Sequence, residues 1–476
     1  MLFPTATFAI FFLLVLPTSW LLMRNGPRWR AFMLVASYLF YGWWDWRFCF
    51  LLAASTVVNQ VFAVAVHRAR VGSVRKLLLA ADVVFNLGIL FLFKYYDFFA
   101  TSFQNALADV GVHVSPSLVG AILPVGISFF TFQALSYVID VYRRDFTPTS
   151  LSKFAVFLSF FPHVVAGPIV RAREFVPQLR TPRDPRRVDA SRAFFLIASG
   201  LFLKVVIATY LADEIVDDVF GTPDRYSALD ALVGVYAYAV QIFADFCGYT
   251  NIAIGVALLL GFRFPQNFDN PYTALSPRDF WRRWHMTLSR WLRDYLYIPL
   301  GGNRHGDLVT YRNLMIVMIL GGLWHGAGWT FAIWGALWGV ALVAEHWWDE
   351  RQRARDPEGA RAPSARGRFW RRLATFHLVC LGWVFFRAES VDDAFAVLGR
   401  IATGWGQSPE LVSGGVLLAI AVGIGGQYVP TDAFGRLMVV FSRLSPVAQG
   451  ATLALALTVI GALGPEGVAP FIYFQF

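Results

Sequence analysis

The chain is made of long apolar runs in which charge is confined to short basic clusters. A soluble core cannot absorb that much continuous apolar sequence, so the runs must meet lipid. A membrane span needs roughly 20 apolar residues. Helical spans are expected at about 7–23, 31–45, 48–66, 77–97, 118–142, 193–212, 229–262, 309–323, 328–348, 371–387, 413–429 and 445–463. The expected fold is all-α: a polytopic integral membrane protein with about 11–12 transmembrane helices plus re-entrant and interfacial helices. Composition agrees, with 57% hydrophobic and 15% charged residues, against about 25% charged in an ordinary soluble domain. The amino-terminal run lacks a basic segment before it, and its arginines follow it. It is expected to be a first span rather than a cleaved signal.

The formal charge of +10 comes almost wholly from arginine. Positive loops on the cytoplasmic side explain it. Nucleic-acid binding would need a basic soluble domain, and the sequence holds none. Arg24/Arg28/Arg30, Arg68 to Lys76, Arg143/Arg144, Arg171 to Arg192, Arg278 to Arg304 and Arg351 to Arg372 are expected in the cytoplasm. The loop 98–117 and the acidic 213–224 are expected outside. Cys49, Cys247 and Cys380 stand singly in apolar sequence, which suits small buried hydrophobes rather than disulfides or metal ligands.

Two segments break the alternation. Residues 151–169 and 264–300 are apolar or aromatic, yet each lies between cytoplasmic clusters and is interrupted by Pro and Gly. Both are expected to be re-entrant or interfacial. Irregular backbone at membrane depth survives only inside protein or along a cavity. A cavity open to the cytoplasm is therefore expected. Residues 351–368 read as a polar linker and 390–402 as a short amphipathic interfacial helix. The whole of 1–476 is expected to form a single membrane-embedded domain, with a catalytic core at about 118–348 and a polar cytoplasmic loop at 351–370.

The stretch from Gly261 to Gly328 carries the chemistry-bearing residues. Ser276-Pro277-Arg278-Asp279 has the order of a helix start, with Ser as the cap and Pro at the first helical position. One helix is expected from there to about Tyr297. Trp281, Trp284, His285, Leu288, Trp291, Leu292 and Tyr295 would form its apolar stripe, flanked by Arg282, Arg283, Arg290 and Arg293. Those arginines suit lipid phosphates, to which they would snorkel, and equally the phosphates of a soluble donor. Arg282, Arg293 and Trp284 are the candidate donor contacts, and Asp269, like Arg282 and Arg293, is a candidate for a donor or structural role.

The second motif is Trp324-His325, set among Gly321, Gly322, Gly326, Ala327 and Gly328. Asn313 to Leu323 separate it from Arg312, a helical rise of about 17 Å against a hydrocarbon core of about 30 Å. If Arg312 marks the interface, His325 lies inside the membrane, where an ionisable side chain points to function. A satisfied structural histidine in a tight glycine seam would look the same. His163 sits in the first re-entrant segment, where it would line the cavity. His67, His113, His305, His346 and His377 read as structural or solvated. No two histidines stand at helical spacing with a carboxylate, so no metal site is expected.

Acyl transfer to a hydroxyl needs a base, because the hydroxyl holds its proton far above neutral pH. Imidazole is matched to that task. A donor must also meet the developing oxyanion, for which His285 or a nearby amide or indole N–H qualifies.

At these residues the chain resembles the membrane-bound O-acyltransferase family, in its bacterial alginate O-acetyltransferase branch. The resemblance is carried by LPVGISFFTFQALSYVIDVYRRD (123–145), FFPHVVAGPIVR (160–171) and QIFADFCGYTNIAIG (241–255). It continues in FRFPQNFDNPYTALSPRDFWRRWHMTLSRWLRDYLYIPLGGNR (262–304), GGLWHGAGWTFAIWG (321–335) and PFIYFQF (470–476). The resemblance implies a multi-helix enzyme around a central tunnel, with His325 at the catalytic position and His285 at a second site. It implies no tightly bound cofactor, and acetyl-CoA or another acetyl carrier as the donor. The acceptor would be a polysaccharide outside the bacterial inner membrane, or a periplasmic partner that passes the group on. A D-alanyl transferase of the same family, a transporter or flippase, and a scaffold with structural histidines are the competing readings. No paired broken helices, the mark of a transporter repeat, occur in the sequence.

Overall fold

The structure is a computed structural model that describes residues 1, 3–355 and 364–465. Among the described residues every regular element is helical and no strand occurs. The chain divides into two compact units: residues 1–193 with 253–265, and residues 194–252 with the described residues from 266 onward.

The first unit begins with α1 (Ala6–Leu22), capped by the Thr5 hydroxyl, which accepts from Phe8 N at 3.2 Å. It continues through α2 (Gly26–Gly42), α3 (Phe48–Arg68), α4 (Gly72–Ala108), α5 (Ile127–Arg143), α6 (Leu151–Ser159) and α7 (Phe161–Val164). Polar side chains tie these helices together where lipid tails offer no hydrophobic drive. Asn59 and Asn86 exchange amide bonds of 2.9 and 3.2 Å. The Tyr137 hydroxyl donates to Gln60 Oε1 at 3.0 Å, and Gln60 Nε2 donates to the Thr149 carbonyl at 2.7 Å. The segment expected to be re-entrant consists of α6 and α7, broken at Phe160. Phe154, Phe157, Phe160 and Phe161 on it are fully buried.

Two expectations shift here. The loop expected at 98–117 is helical as far as Ala108, because α4 runs on for 37 residues through a π-turn at Phe91–Tyr95. The span expected from 118 starts instead at Ile127. The Asp97 carboxylate holds the intervening chain by accepting from Val119 N and Gly120 N at 2.8 and 3.0 Å. Gly126 then turns it at φ +77°, where a Cβ would lie 2.3 Å from the Val164 carbonyl.

In the second unit α8 (Ala190–Gly221) meets α9 (Ala228–Leu259) through glycines. A Cβ on Gly200 would lie 2.6 Å from the Gly248 carbonyl, and one on Gly248 2.7 Å from the Gly200 carbonyl. The region expected as 229–262 is thus one 32-residue helix. A π-turn over Phe202–Ala208 carries Lys204, which is buried in an ion pair with buried Asp245. Removing one side of a buried ion pair costs about 3–5 kcal/mol. Asp245→Ala is therefore expected to melt well below the parent in detergent. Lys204→Met with Asp245→Leu should recover most of the loss. An unchanged melting temperature for Asp245→Ala would rule out a structural role for the pair.

The rest of the second unit comprises α10 (Pro277–Arg283), α11 (Met286–Leu292), α12 (Asp307–His325), α13 (Trp329–Arg355) and α14 (Ala365–Arg387). α15 (Val391–Thr403), α16 (Gly414–Gly425), α17 (Thr431–Arg443) and α18 (Pro446–Leu463) follow. α15 is the expected amphipathic helix, opened by a capping box of Ser390 and Asp393. Of the linker expected at 351–368, residues 351–355 continue α13 and α14 begins at Ala365. Residues 356–363 and the terminal PFIYFQF lie outside the described residues. Among the described residues four helices are long and apolar enough to cross a membrane alone: α3, α4, α8 and α9. Gly414–Tyr428 and Asp432–Ser442 together form a further, bent candidate. The other expected spans are helices too, but shorter or less apolar.

Candidate active site

The helix expected from Pro277 to about Tyr297 is broken. Its start is as read: the Ser276 hydroxyl accepts from Asp279 N at 3.2 Å, and Asp279 reaches back to Leu275 N at 3.0 Å. It stops at Arg283, and a new helix begins at Met286. His285 stands in the break at φ +41°, a left-handed conformation unusual for a residue with a side chain. Two long-range bonds enforce it. Asp269 N donates to the Arg283 carbonyl and Met286 N to the Asn267 carbonyl, both at 2.9 Å. Strain of this kind persists only where its surroundings over-determine it, and it gathers at functional sites.

Asn267 also fixes the histidine ring. Its Oδ1 accepts from Thr287 N at 3.2 Å and from the Thr287 hydroxyl at 2.8 Å, so the oxygen faces this side. The same oxygen is 3.1 Å from His285 Nδ1, which must therefore carry the proton and donate. Nε2 then holds a lone pair, buried and without a hydrogen-bond partner. His285 itself is 0% exposed. Loss of this fixed tautomer should be felt in catalysis. Asn267→Leu is expected to cut turnover roughly a hundredfold, the scale of a misplaced reacting group. The check is kcat beside the melting temperature, and an unchanged kcat would make Asn267 a packing residue.

His325 is the last residue of α12, because Gly326 takes an extended conformation. A Cβ on Gly326 would lie 2.0 Å from the Phe331 ring, so a larger residue there would have to displace that ring. The two helices pack backbone to backbone. A Cβ on Gly322 would lie 2.2 Å from the Phe331 carbonyl, and one on Gly335 2.4 Å from the Met318 carbonyl. At the far end Asn313 Nδ2 donates to the carbonyls of Leu300 and Gly302, anchoring the GGNR turn to α12.

The folded second unit thus brings the two predicted histidines together. Their ring centroids are 6.4 Å apart, close enough for one small group to touch both. Trp324 adjoins both, at 6.1 Å from His285 and 5.1 Å from His325. Trp334 and Phe386 flank His325 at 5.2 Å each, and Phe246 meets His285 edge-on at 4.7 Å. His325 is 3% exposed. A buried aromatic cage of this kind excludes water from around the two imidazoles.

The other predicted residues lie elsewhere. Arg282 and Arg293 are exposed, the latter paired with Asp294 at 2.7 Å. Trp284 is buried against Phe268, Phe280 and Trp383. Asp269 is exposed, its carboxylate 3.9 Å from Arg283. His163 belongs to the first unit, where its Nε2 lies 2.7 Å from the Phe157 carbonyl amid phenylalanine rings. Asp307, His346 and Glu350 bring possible metal-ligand atoms within 4.8 Å of one another. They gather near the start of α12, about 27 Å of helix from His325. Sequence reasoning missed Asn267 and Trp334. Neither has a local signal, since each matters through residues far along the chain.

A model of the membrane-bound O-acyltransferase family matches residues 84–383. The chain is similar to a probable alginate O-acetylase of Azotobacter vinelandii, with 43% identity over 81% of this chain and 75% of that one. It is 38% identical to a probable alginate O-acetylase of Pseudomonas putida, over 95% of this chain and 96% of that one. It is also 36% identical to the peptidoglycan O-acetyltransferase of Helicobacter pylori, over 78% and 73%.

Proposed function

The chain belongs to the membrane-bound O-acyltransferase family, and from that premise we propose that it moves acetyl groups from a cytoplasmic thioester to an extracytoplasmic polysaccharide. Acetyl-CoA is the donor. The chain works in the bacterial inner membrane, and the acetyl group passes to the polymer directly or through a partner protein. Relatives named for alginate and for peptidoglycan acetylation support a carbohydrate acceptor. The observation that carries the reading is the buried pair of histidines, 6.4 Å apart, one of them locked with a bare Nε2.

In this reading the acceptor hydroxyl enters the cage and His325 takes its proton as the oxygen adds to the thioester carbon. Collapse breaks the C–S bond, and the leaving thiolate receives the proton. His285 supports the step: its Nε2 is a fixed acceptor that orients an O–H or S–H. Nothing in the sequence requires a covalent acyl-enzyme.

The test uses sealed membrane vesicles carrying the chain, with acetyl-labelled CoA supplied on the cytoplasmic face and polysaccharide on the other. Free thiol should appear on the donor side in step with ester label on the polymer. Labelled thioester crossing intact would overturn the proposal in favour of transport.

A further inference from the structure

Some buried tryptophans of this chain give their indole N–H to an oxygen. Trp29 donates to Ser19 at 2.9 Å and Trp383 to the Tyr272 hydroxyl at 3.3 Å. Others in the second unit do not. Trp281, Trp334 and Trp338 have buried indole nitrogens with no acceptor. A buried donor left unpaired costs folding free energy, and each such case calls for an explanation.

Two of the three converge. Trp334 and Trp338 lie one turn apart on α13, and both reach the same spot on α14. A Cβ built on buried Gly382 would lie 3.5 Å from Trp334 Nε1 and 3.3 Å from Trp338 Nε1. Glycine leaves that spot without a side chain, so two N–H groups border one small region. Trp281 meets both rings edge-on, at 5.7 and 5.2 Å. The region adjoins the histidine cage, since the Trp334 ring is 5.2 Å from the His325 ring.

We propose that the indole N–H groups of Trp334 and Trp338 form the oxyanion-binding site of the acyl transfer, so that the ligand at Gly382 is the carbonyl oxygen of the thioester. The proposal rests on the acyl-transfer reading above and adds the group that reading lacks. His285 cannot supply it, because its Nδ1–H is given to Asn267 and its Nε2 carries no hydrogen. As the acceptor oxygen bonds to the carbonyl carbon, the C=O π pair moves onto the carbonyl oxygen and the hydroxyl proton passes to His325. The two indoles donate to that alkoxide. When the C=O re-forms, the C–S bond breaks, and the thiolate leaves with the proton. Preorganised donors in a dry site are worth most at this moment, when charge develops.

The experiment measures kcat and KM of Trp334→Phe, Trp338→Phe and Gly382→Ala in the vesicle assay, beside the parent and its melting temperature. Each Trp→Phe variant should lose roughly a hundredfold in kcat, the scale of one oxyanion donor, with KM for the donor little changed. Gly382→Ala keeps both N–H groups but puts a methyl where they converge, and should lose kcat likewise. Ultraviolet resonance Raman supplies a second readout. A ketone analogue of acetyl-CoA should shift the indole N–H marker band in the parent and less in Trp334→Phe. Unchanged kcat in folded Trp334→Phe and Trp338→Phe would show that these N–H groups only pack on neighbouring ring faces. If those variants do not fold, unchanged kcat in Gly382→Ala overturns the proposal. Failure of the acyl-transfer reading is separate, because there the parent itself makes no ester.

Discussion

Replacing His325 with alanine is expected to leave a folded protein that no longer acylates. A positioned general base contributes roughly 10²- to 10⁴-fold to a proton-coupled step, and a dry cage offers a hydroxyl nucleophile no water to take its proton. His325 is buried and ringed by Trp324, Trp334 and Phe386, so water cannot readily replace it. Truncation also opens a hole among those rings. Filling of such a site by relaxation is partial, and the stability loss should be about 2–4 kcal/mol by analogy with other large-to-small core changes. His325→Gln keeps most of the volume and separates the two effects: turnover should fall as far as in the alanine variant, with a smaller drop in melting temperature. His285→Ala is expected to lower turnover less. Full label transfer by both His325 variants would move the base to His285, whose bare Nε2 is the other proton acceptor in the cage.

What could be read in advance, and what could not, follows from the range of the interactions involved. The helices were legible because apolar runs and cap residues act within a few residues of one another. Ser276-Pro277 opens α10 as its order predicts, and α12 holds its full length up to His325. Motifs and resemblance singled out the two histidines, and the fold of the second unit sets their rings 6.4 Å apart. The break at His285 was hidden. An apolar stripe at helical spacing runs straight through it, and only bonds to residues 267 and 269 override the periodicity. Asn267 was hidden for the same reason: its partners are 18 and 20 residues away. Orphaned indole donors are equally invisible, since being unpaired is a property of the packed interior. The 118–142 region failed on a different count, because its hydropathy is right for a span while the left-handed Gly126 and the Asp97 bonds keep the chain out of helix before Ile127.

The glycine seam between α12 and α13 should be as intolerant of change as the histidines. Gly335→Val is expected both to destabilise the protein and to silence it. A Cβ at this position would lie 2.4 Å from the Met318 carbonyl and 2.8 Å from Ile319 Cα, and normal contact lies near 3.5 Å or beyond. The obstacle is helix backbone, which cannot rotate away like a side chain, so the helices must part by about 1 Å. Overpacking costs typically about 1–3 kcal/mol, and a backbone clash belongs at or above the top of that range. The functional loss has its own cause. Trp334 immediately precedes Gly335, and its ring packs on His325 from the opposite helix at 5.2 Å. A shift of about 1 Å between reacting groups costs about a hundredfold in rate. Gly399 on α15 is the control, since a Cβ there would meet nothing within 4 Å. Gly399→Ala should change stability by less than about 1 kcal/mol, and in the stabilising direction, because alanine is the better helix former. The measurements are melting temperature in detergent and ester formation in vesicles. If Gly335→Val matched Gly399→Ala in both, the two helices would have to tolerate separation, and the close packing at this seam could not be what holds His325 against Trp334.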